Sequence, residues 1–230
     1  MTRRSRSLLA VWLLVGGPIA IFSVWALAQN PRLYVVTLLN GLTLASLYFI
    51  VASGFTLVFG LMRNVNLAHG SLYLLGGYVG YVVAARTGWW PVALAAGFLS
   101  AALAGLAIQW LILRHMQGQE LRQTMVTIGL SIVVADILLW IFTGQVHQME
   151  APGFLQGPIR DIPLIRAYSA YRLSLLFMGI GIGVLLWLLL NRTRIGTMIR
   201  AGVDDRGMLS ASGVNVNLLF AFTFALGAGL

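Results

Sequence analysis

Residues that could do chemistry in this chain are few, and they lie inside or beside long apolar runs. The stretch 63–81, RNVNLAHGSLYLLGGYVGY, brings two amides, an imidazole and four glycines to the start of one such run. Polar groups are costly in hydrocarbon, so those retained there are candidates for function. The candidates for a path through the membrane are Asn40, Asn66, His69, Gly70 and Asp136.

Asn66 and His69 stand three residues apart, so they share a face if the segment is helical. Asn66 is predicted to cap a helix over 66–85, because a side-chain oxygen there satisfies free N–H groups. His69 is either a buried structural histidine or part of the path. No metal site is predicted, since His115 and His147 fall in other segments.

Asn40 and Asp136 stand within apolar runs, and each has a structural alternative. Asn40 either lines a path or bridges two helices by a hydrogen bond. Asp136 is a candidate proton relay of a secondary transporter, or a protonated or hydrogen-bonded carboxyl group facing another helix. A third hypothesis, an intramembrane enzyme using Ser53 and His69, lacks the G-x-S-G form because the stretch reads VASG.

The composition predicts a polytopic membrane protein. Of 230 residues, 59% are hydrophobic and 9% charged, and the mean hydropathy is +0.88, whereas soluble domains carry about 25% charged residues. All 15 basic residues are arginine, so the lysines of a P-loop or a Schiff base are missing. The net charge of +9 is spread over loops between apolar runs, which argues against nucleic-acid binding. No cofactor and no catalytic residue is predicted.

The apolar runs predict an all-α transmembrane bundle in one domain over 1–230. They are long enough to cross about 30 Å as helices. Ten arginines fall on the side of the N-terminus and five on the other, so the N-terminus is predicted to be cytoplasmic. The first run is predicted to be a retained helix rather than a cleaved signal peptide. The six complete helices are expected at 8–28, 33–61, 66–85, 91–114, 122–143 and 169–190, and a seventh begins near 217.

The segment 191–216 alternates small apolar residues with charged ones. This pattern favours a short helix at the membrane surface that docks on a cytoplasmic partner. The alternative is an interfacial helix resting on lipid headgroups. The residues that define this predicted coupling segment are Gly196, Arg200, Ala201, Asp204, Asp205, Arg206 and Gly213.

Three stretches together resemble the inner-membrane permeases of branched-chain amino acid ABC importers. They are NGLTLASLYFIVASGFTLVFGLMRNVNLAHGSLYLLGGYVGY at 40–81, TIGLS at 127–131 and GTMIRAGVDDRGMLSASGVNVNLLFAFTFALGAGL at 196–230. The resemblance covers about 30–230, and the N-x-A-H-G element resembles the first of the two paired permease types. Asp136 departs from the uncharged polar residue that is common there, and the chain ends inside a helix, which suggests a C-terminally truncated permease.

The resemblance implies one half of a translocation path in a bacterial inner membrane. The implied partners are a second permease subunit, two cytoplasmic ATP-binding subunits and an external substrate-binding protein. ATP would be hydrolysed by the partner subunits, so this chain would not be an enzyme. The implied substrate is a branched-chain or related hydrophobic amino acid; urea or a short amide is the alternative within the same family.

Overall fold

A computed structural model describes residue 14 and residues 16–62, 66–116, 118–145, 147–159 and 167–230. The predicted first helix, 8–28, is therefore described only in its second half. Several of the arginines used to predict the orientation lie outside the described residues, namely Arg3, Arg4, Arg6, Arg63, Arg160 and Arg166.

The described chain is almost entirely helical, which confirms the all-α prediction. Two 3-10 turns, Leu113–Met116 and Gly153–Leu155, and a two-residue antiparallel pair, β1 (Pro158–Ile159) with β2 (Tyr168–Ser169), interrupt the helices. The helices are α1 (Gly17–Gln29), α2 (Pro31–Met62), α3 (His69–Thr87), α4 (Trp90–Leu111), α5 (Glu120–Phe142), α6 (Ala170–Arg192), α7 (Arg194–Asp204), α8 (Arg206–Ala211) and α9 (Val216–Gly229).

Four of the described helices are long and apolar enough to cross a membrane: α2 over Pro31–Gly60, α4, α5 and α6. The chain is thus a multi-pass membrane protein by length and composition. The prediction of six complete spans is not confirmed. Helices α1 and α9 are shorter apolar helices, and α3, which contains four glycines and Arg86, does not meet the same measure.

The chain divides into two compact units. Unit 1 comprises residues 1–46 and 154–177, and unit 2 comprises residues 47–153 and 178–230. In unit 1, the hydroxyl oxygens of Thr43 and Ser46 of α2 lie 3.4 Å from the backbone oxygens of Arg172 and Leu175. Each hydroxyl donates at shorter distance within α2, to Leu39 at 2.9 Å and to Thr43 at 2.7 Å, so its approach to α6 is a close polar contact.

Unit 2 is held together by close helix contacts at small residues. Helix α3 packs on α4, and α4 packs on α9. A Cβ built on Gly97 would lie 2.8 Å from the backbone oxygen of Gly76, and one on Gly105 would lie 2.6 Å from the Cβ of Ala228. Small residues at four-residue spacing allow such approach in lipid, where packing rather than hydrophobic burial drives association.

Replacing Gly97 with isoleucine is expected to lower the free energy of unfolding of unit 2 by about 1–3 kcal/mol, because the new side chain meets the backbone of Gly76. Thermal unfolding in detergent measures the effect. Gly129→Ile in α5 is the matched control, since Gly129 is exposed and a Cβ there meets nothing within 4 Å. Equal melting temperatures for the Gly97→Ile variant and the unsubstituted protein would show that the α3–α4 contact is looser than described.

The prediction that Asn66 caps the helix of 66–85 is wrong. The helix begins at His69, and its N-cap is Ala68. Asn66 instead closes a turn before the helix, where its Oδ1 accepts from the N–H of Ala68 at 3.1 Å and its carbonyl oxygen accepts from the N–H of His69 at 3.2 Å. The side chain still satisfies a backbone donor near the helix start, but it does so in an Asx turn.

Candidate functional site

Asn40 stands at the centre of a polar cluster in unit 1. Its Oδ1 accepts hydrogen bonds from the Tyr168 hydroxyl at 3.1 Å and from Nη1 of Arg172 at 2.6 Å. The Thr43 hydroxyl lies 3.4 Å from that of Tyr168. Tyr168 and Thr43 are buried, whereas Arg172 is exposed. Asn40 thus makes an interhelical hydrogen bond, one of its two predicted roles, and the partner is an arginine of α6.

Asn66 and His69 are both buried in unit 2. Nε2 of His69 lies 3.2 Å from the carbonyl oxygen of Val51, which can only accept, so Nε2 carries the proton. The imidazole also lies against the ring of Phe55, with centroids 5.9 Å apart. Nδ1 of His69 and Nδ2 of Asn66 are buried and have no hydrogen-bond partner among the described residues. These contacts tie the start of α3 to α2 within unit 2.

Asp136 and Gly70 are exposed on α5 and α3. Among the described residues Asp136 makes no hydrogen bond or ion pair, with Asn66 and His69 or with any other residue. Within unit 2, Asn66 and His69 lie together, while Gly70 and Asp136 are exposed. Asn40 belongs to the cluster of unit 1. The role of these five residues in a path stays a prediction.

Unit 2 contains an apolar cavity of about 410 Å³. Gly76, Gly77 and Gly80 of α3 form part of its wall because they leave space where side chains would stand. The rest of the wall includes Ile50, Tyr81, Trp90, Phe98, Met149 and Met178. Aromatic, aliphatic and thioether groups make a surface suited to an apolar ligand, and the volume lies within the ~300–1,000 Å³ typical of ligand pockets.

The predicted coupling segment folds as two short helices, α7 and α8. Ile199 and Leu209 are buried with Leu219 and Phe220 of α9 in one hydrophobic cluster. On the opposite face of α7, Thr197, Ala201 and Asp204 are exposed at spacings of four and three residues. The segment is amphipathic, as predicted, and α9 covers its apolar face.

Side-chain caps fix the ends of these helices. Thr193, Asp205 and Asn215 accept from the N–H groups of Gly196, Met208 and Leu218 at 3.1, 3.0 and 3.1 Å, and so begin α7, α8 and α9. Each cap is worth about 1 kcal/mol. Asp205, predicted as a coupling residue, thus also has a structural role.

The other predicted coupling residues occupy distinct positions. Nη1 of Arg200 donates to the carbonyl oxygen of Leu190. The guanidinium of Arg206 stacks 4.6 Å above the ring of Phe220. Gly196 is buried at the α6–α7 turn, and Gly213 has a φ of +86° in the turn before α9, a conformation that favours glycine.

Sequence reasoning missed the partners of Asn40 and the exposed Met208. Tyr168 lies in β2 and Arg172 in the first turn of α6, more than a hundred residues from Asn40, and no motif in the sequence links them to it. Met208 is 75% exposed on α8, and its position between Gly207 and the buried Leu209 gave no periodic signal. The cavity could not be found from sequence, because its walls come from segments distant in the chain.

Fold and sites together define a multi-pass membrane protein with an apolar cavity and an amphipathic segment between two apolar helices. A family profile described as "Branched-chain amino acid transport system / permease component" matches residues 37–230. The chain belongs to this family.

Curated relatives agree with the family. The chain is 28% identical over 210 residues to the high-affinity branched-chain amino acid transport system permease protein BraD of Pseudomonas aeruginosa, covering 86% of this chain and 68% of that protein. It is 28% identical over 206 residues to the permease protein LivH of the corresponding system of Escherichia coli, covering 83% of this chain and 66% of that protein. The chain thus spans about two thirds of the length of these relatives. No solved structure matches it significantly.

Proposed function

We propose that this chain is the membrane permease subunit of an ATP-driven importer for branched-chain or related hydrophobic amino acids. In this proposal it forms half of a translocation path in a bacterial inner membrane. Its partners are a second permease subunit, two cytoplasmic ATP-binding subunits and an external substrate-binding protein. The chain contributes no catalytic residue, and ATP is hydrolysed by the partners.

The observation that carries the proposal is the face of α7 formed by Thr197, Ala201 and Asp204. The apolar side of α7 is buried against α9 through Ile199. The exposed side is therefore available to another protein, and it would bind through its small and polar side chains, because the apolar side is already buried within this chain. Because α9 already covers Ile199, the alternative of an interfacial helix that inserts its apolar face into lipid is weakened.

The cavity supports the substrate class. Its walls are apolar and aromatic, and they fit a branched aliphatic side chain better than urea or a short amide, which would lose hydrogen bonds to water there. The proton-coupled alternative receives no support from Asp136, which is exposed on α5 rather than placed at this cavity.

The partners are tested by a tagged pull-down of this chain from native membranes. Recovery of two ATP-binding subunits and a second permease is expected. Recovery of the chain alone, or as a homo-oligomer, would overturn the importer proposal.

Replacing Ala201 with arginine is expected to weaken association with the ATP-binding subunits by at least about tenfold, which corresponds to about 1.4 kcal/mol. Ala201 is exposed, so the fold of this chain should accept the new side chain, whereas a close-fitting groove should not. The matched control is Gln29→Arg, which adds the same charge at the exposed end of α1. Undiminished association of the Ala201→Arg variant would show that this face is not the docking surface. It is a cleaner test than alanine at Arg200 or Asp205, whose side chains hold the segment together.

A further inference from the structure

We propose that Asn40 and Arg172 bind the carboxylate of the transported amino acid at the outer end of α2 and α6. This inference rests on the proposed function and adds a site for the substrate's carboxylate to the apolar cavity proposed for its side chain. The site is the polar cluster of Asn40, Tyr168 and Arg172 in unit 1.

The free hydrogen-bonding groups of Asn40 and Arg172 are all donors. Arg172 and Tyr168 both donate to one atom of the Asn40 amide, and a guanidinium can only donate, so that atom is the oxygen. The Asn40 amide nitrogen therefore keeps its two N–H groups. The guanidinium of Arg172 uses one of its five N–H groups on Asn40, and no other partner is recorded for it among the described residues.

The charge of Arg172 is unbalanced in the described part of the chain, where no ion pair is recorded for it. A cation in the first turn of a helix is also disfavoured by the helix dipole, and Arg172 is the third residue of α6. Arginine in a membrane segment usually pairs with an acceptor or marks a binding site. An anion bound here would neutralise the guanidinium and complete the hydrogen bonds of both donors.

A carboxylate fits these donors by geometry and size. Its two oxygens accept paired N–H groups of a guanidinium side by side. Asn40 lies nine residues from the start of α2, about 14 Å of helix rise, and is half-buried. A small free carboxylate reaches this depth more easily than an acidic side chain held on the surface of a folded binding protein.

The structural alternative is that the cluster only holds α2 to α6, and Asn40→Asp separates the two roles. Aspartate still accepts from Tyr168 and Arg172, so the helices stay joined. It removes the two amide donors and adds a negative charge that repels a carboxylate. Arg172→Gln removes the cation. Arg32→Gln is the control, since Arg32 is an exposed arginine in the first turn of α2.

The experiment uses membrane vesicles that hold the complete transporter with its external binding protein. Leucine uptake is expected to fall at least about tenfold in Asn40→Asp and Arg172→Gln. Arg32→Gln should keep the wild-type rate, and all three variants should keep wild-type binding-protein association. Wild-type uptake by the Asn40→Asp variant would show that the cluster only holds α2 to α6 and does not bind the carboxylate. Loss of binding-protein association in Arg172→Gln would show instead that the arginine docks that protein.

A second measurement does not depend on transport. Phenylglyoxal modifies arginine, and mass spectrometry locates the product at Arg172. Free leucine, without binding protein, is expected to slow modification of Arg172, whereas 3-methylbutylamine, the same molecule without its carboxylate, is not. Equal modification with both compounds would overturn carboxylate binding. If the wild-type complex takes up no amino acid, the proposed function fails, and this protection still decides whether the cluster binds a carboxylate.

Discussion

Replacing Gly77 with phenylalanine is expected, under the proposed importer function, to abolish leucine uptake while leaving the fold and the assembly with partner subunits intact. Gly77 lines the apolar cavity of unit 2, and a Cβ built there meets nothing within 4 Å. A benzyl group therefore adds bulk at the cavity wall, and its first carbon displaces no neighbour. Because glycine is a poor helix former, the change also favours α3. We expect uptake to fall by at least about 100-fold, or about 2.7 kcal/mol of transition-state free energy.

Initial uptake rates, with ATP hydrolysis and subunit recovery measured on the same preparation, test the Gly77→Phe prediction. Gly129→Phe on α5 is the matched control, since Gly129 is also exposed with no atom within 4 Å but lies outside the cavity lining. The smaller change Gly77→Ala should reduce uptake of leucine more than that of valine, because the longer side chain needs more of the space. Normal leucine uptake by Gly77→Phe would place the path elsewhere, and Asn66 and His69 would then be the next residues to test.

The helices were predictable because their signal is local. A run of apolar residues must be long enough to cross hydrocarbon and must satisfy its own backbone hydrogen bonds, and both needs can be counted along the chain. The predicted run 33–61 became α2, Pro31–Met62, and the predicted run 169–190 became α6, Ala170–Arg192. The number of full spans was less predictable. The four glycines of α3 lower its mean hydropathy, so α3 falls short of the measure for a span, although the same glycines let it pack closely on α4.

The polar sites were less predictable because their partners are distant in the chain. Asn40 was recognised as a polar residue in an apolar run, but Tyr168 and Arg172 stand more than a hundred residues away and carry no motif that links them to it. Asn66 has the right residue type for a cap, and only the backbone shows that it closes a turn before the helix. Residue type thus indicated which side chains need a partner, while the fold determined which partner each receives.

The amphipathic segment lies between these cases. Its alternation of small apolar and charged residues predicted a short amphipathic helix, and α7 is such a helix. Its position at the membrane surface and its docking on a partner stay predictions. The same pattern did not distinguish a charge that faces a partner from one that holds the segment in place. Arg200 donates to Leu190 and Asp205 caps α8, whereas Ala201 and Asp204 remain exposed. The residues suited to docking are the exposed ones whose side chains do not hold the segment together.

Under the proposed importer function, replacing Gly196 with alanine is expected to uncouple transport from ATP hydrolysis by displacing α7. A Cβ at Gly196 would collide with the backbone oxygens of Leu189 and Leu190, and rotation of a side chain cannot relieve a collision with backbone. The turn must open, which disturbs the bond from the Gly196 N–H to the Thr193 hydroxyl at 3.1 Å. We expect a local destabilisation of about 2–4 kcal/mol. Gly181→Ala within α6 is the control, since a Cβ there meets nothing within 4 Å.

The absence of cysteine from the sequence gives a direct reporter of this displacement. Ile199→Cys places a single thiol in the buried cluster between α7 and α9, where maleimide should react slowly while α7 is docked. Combined with Gly196→Ala the thiol should react rapidly, and uptake should fall while partner subunits still hydrolyse ATP. Combined with Gly181→Ala it should stay protected. If the thiol of Ile199→Cys stays protected in the Gly196→Ala background and uptake is unchanged, the α6–α7 turn accommodates the methyl group. The close approach of α6 and α7 would then not be what holds the docking face in position.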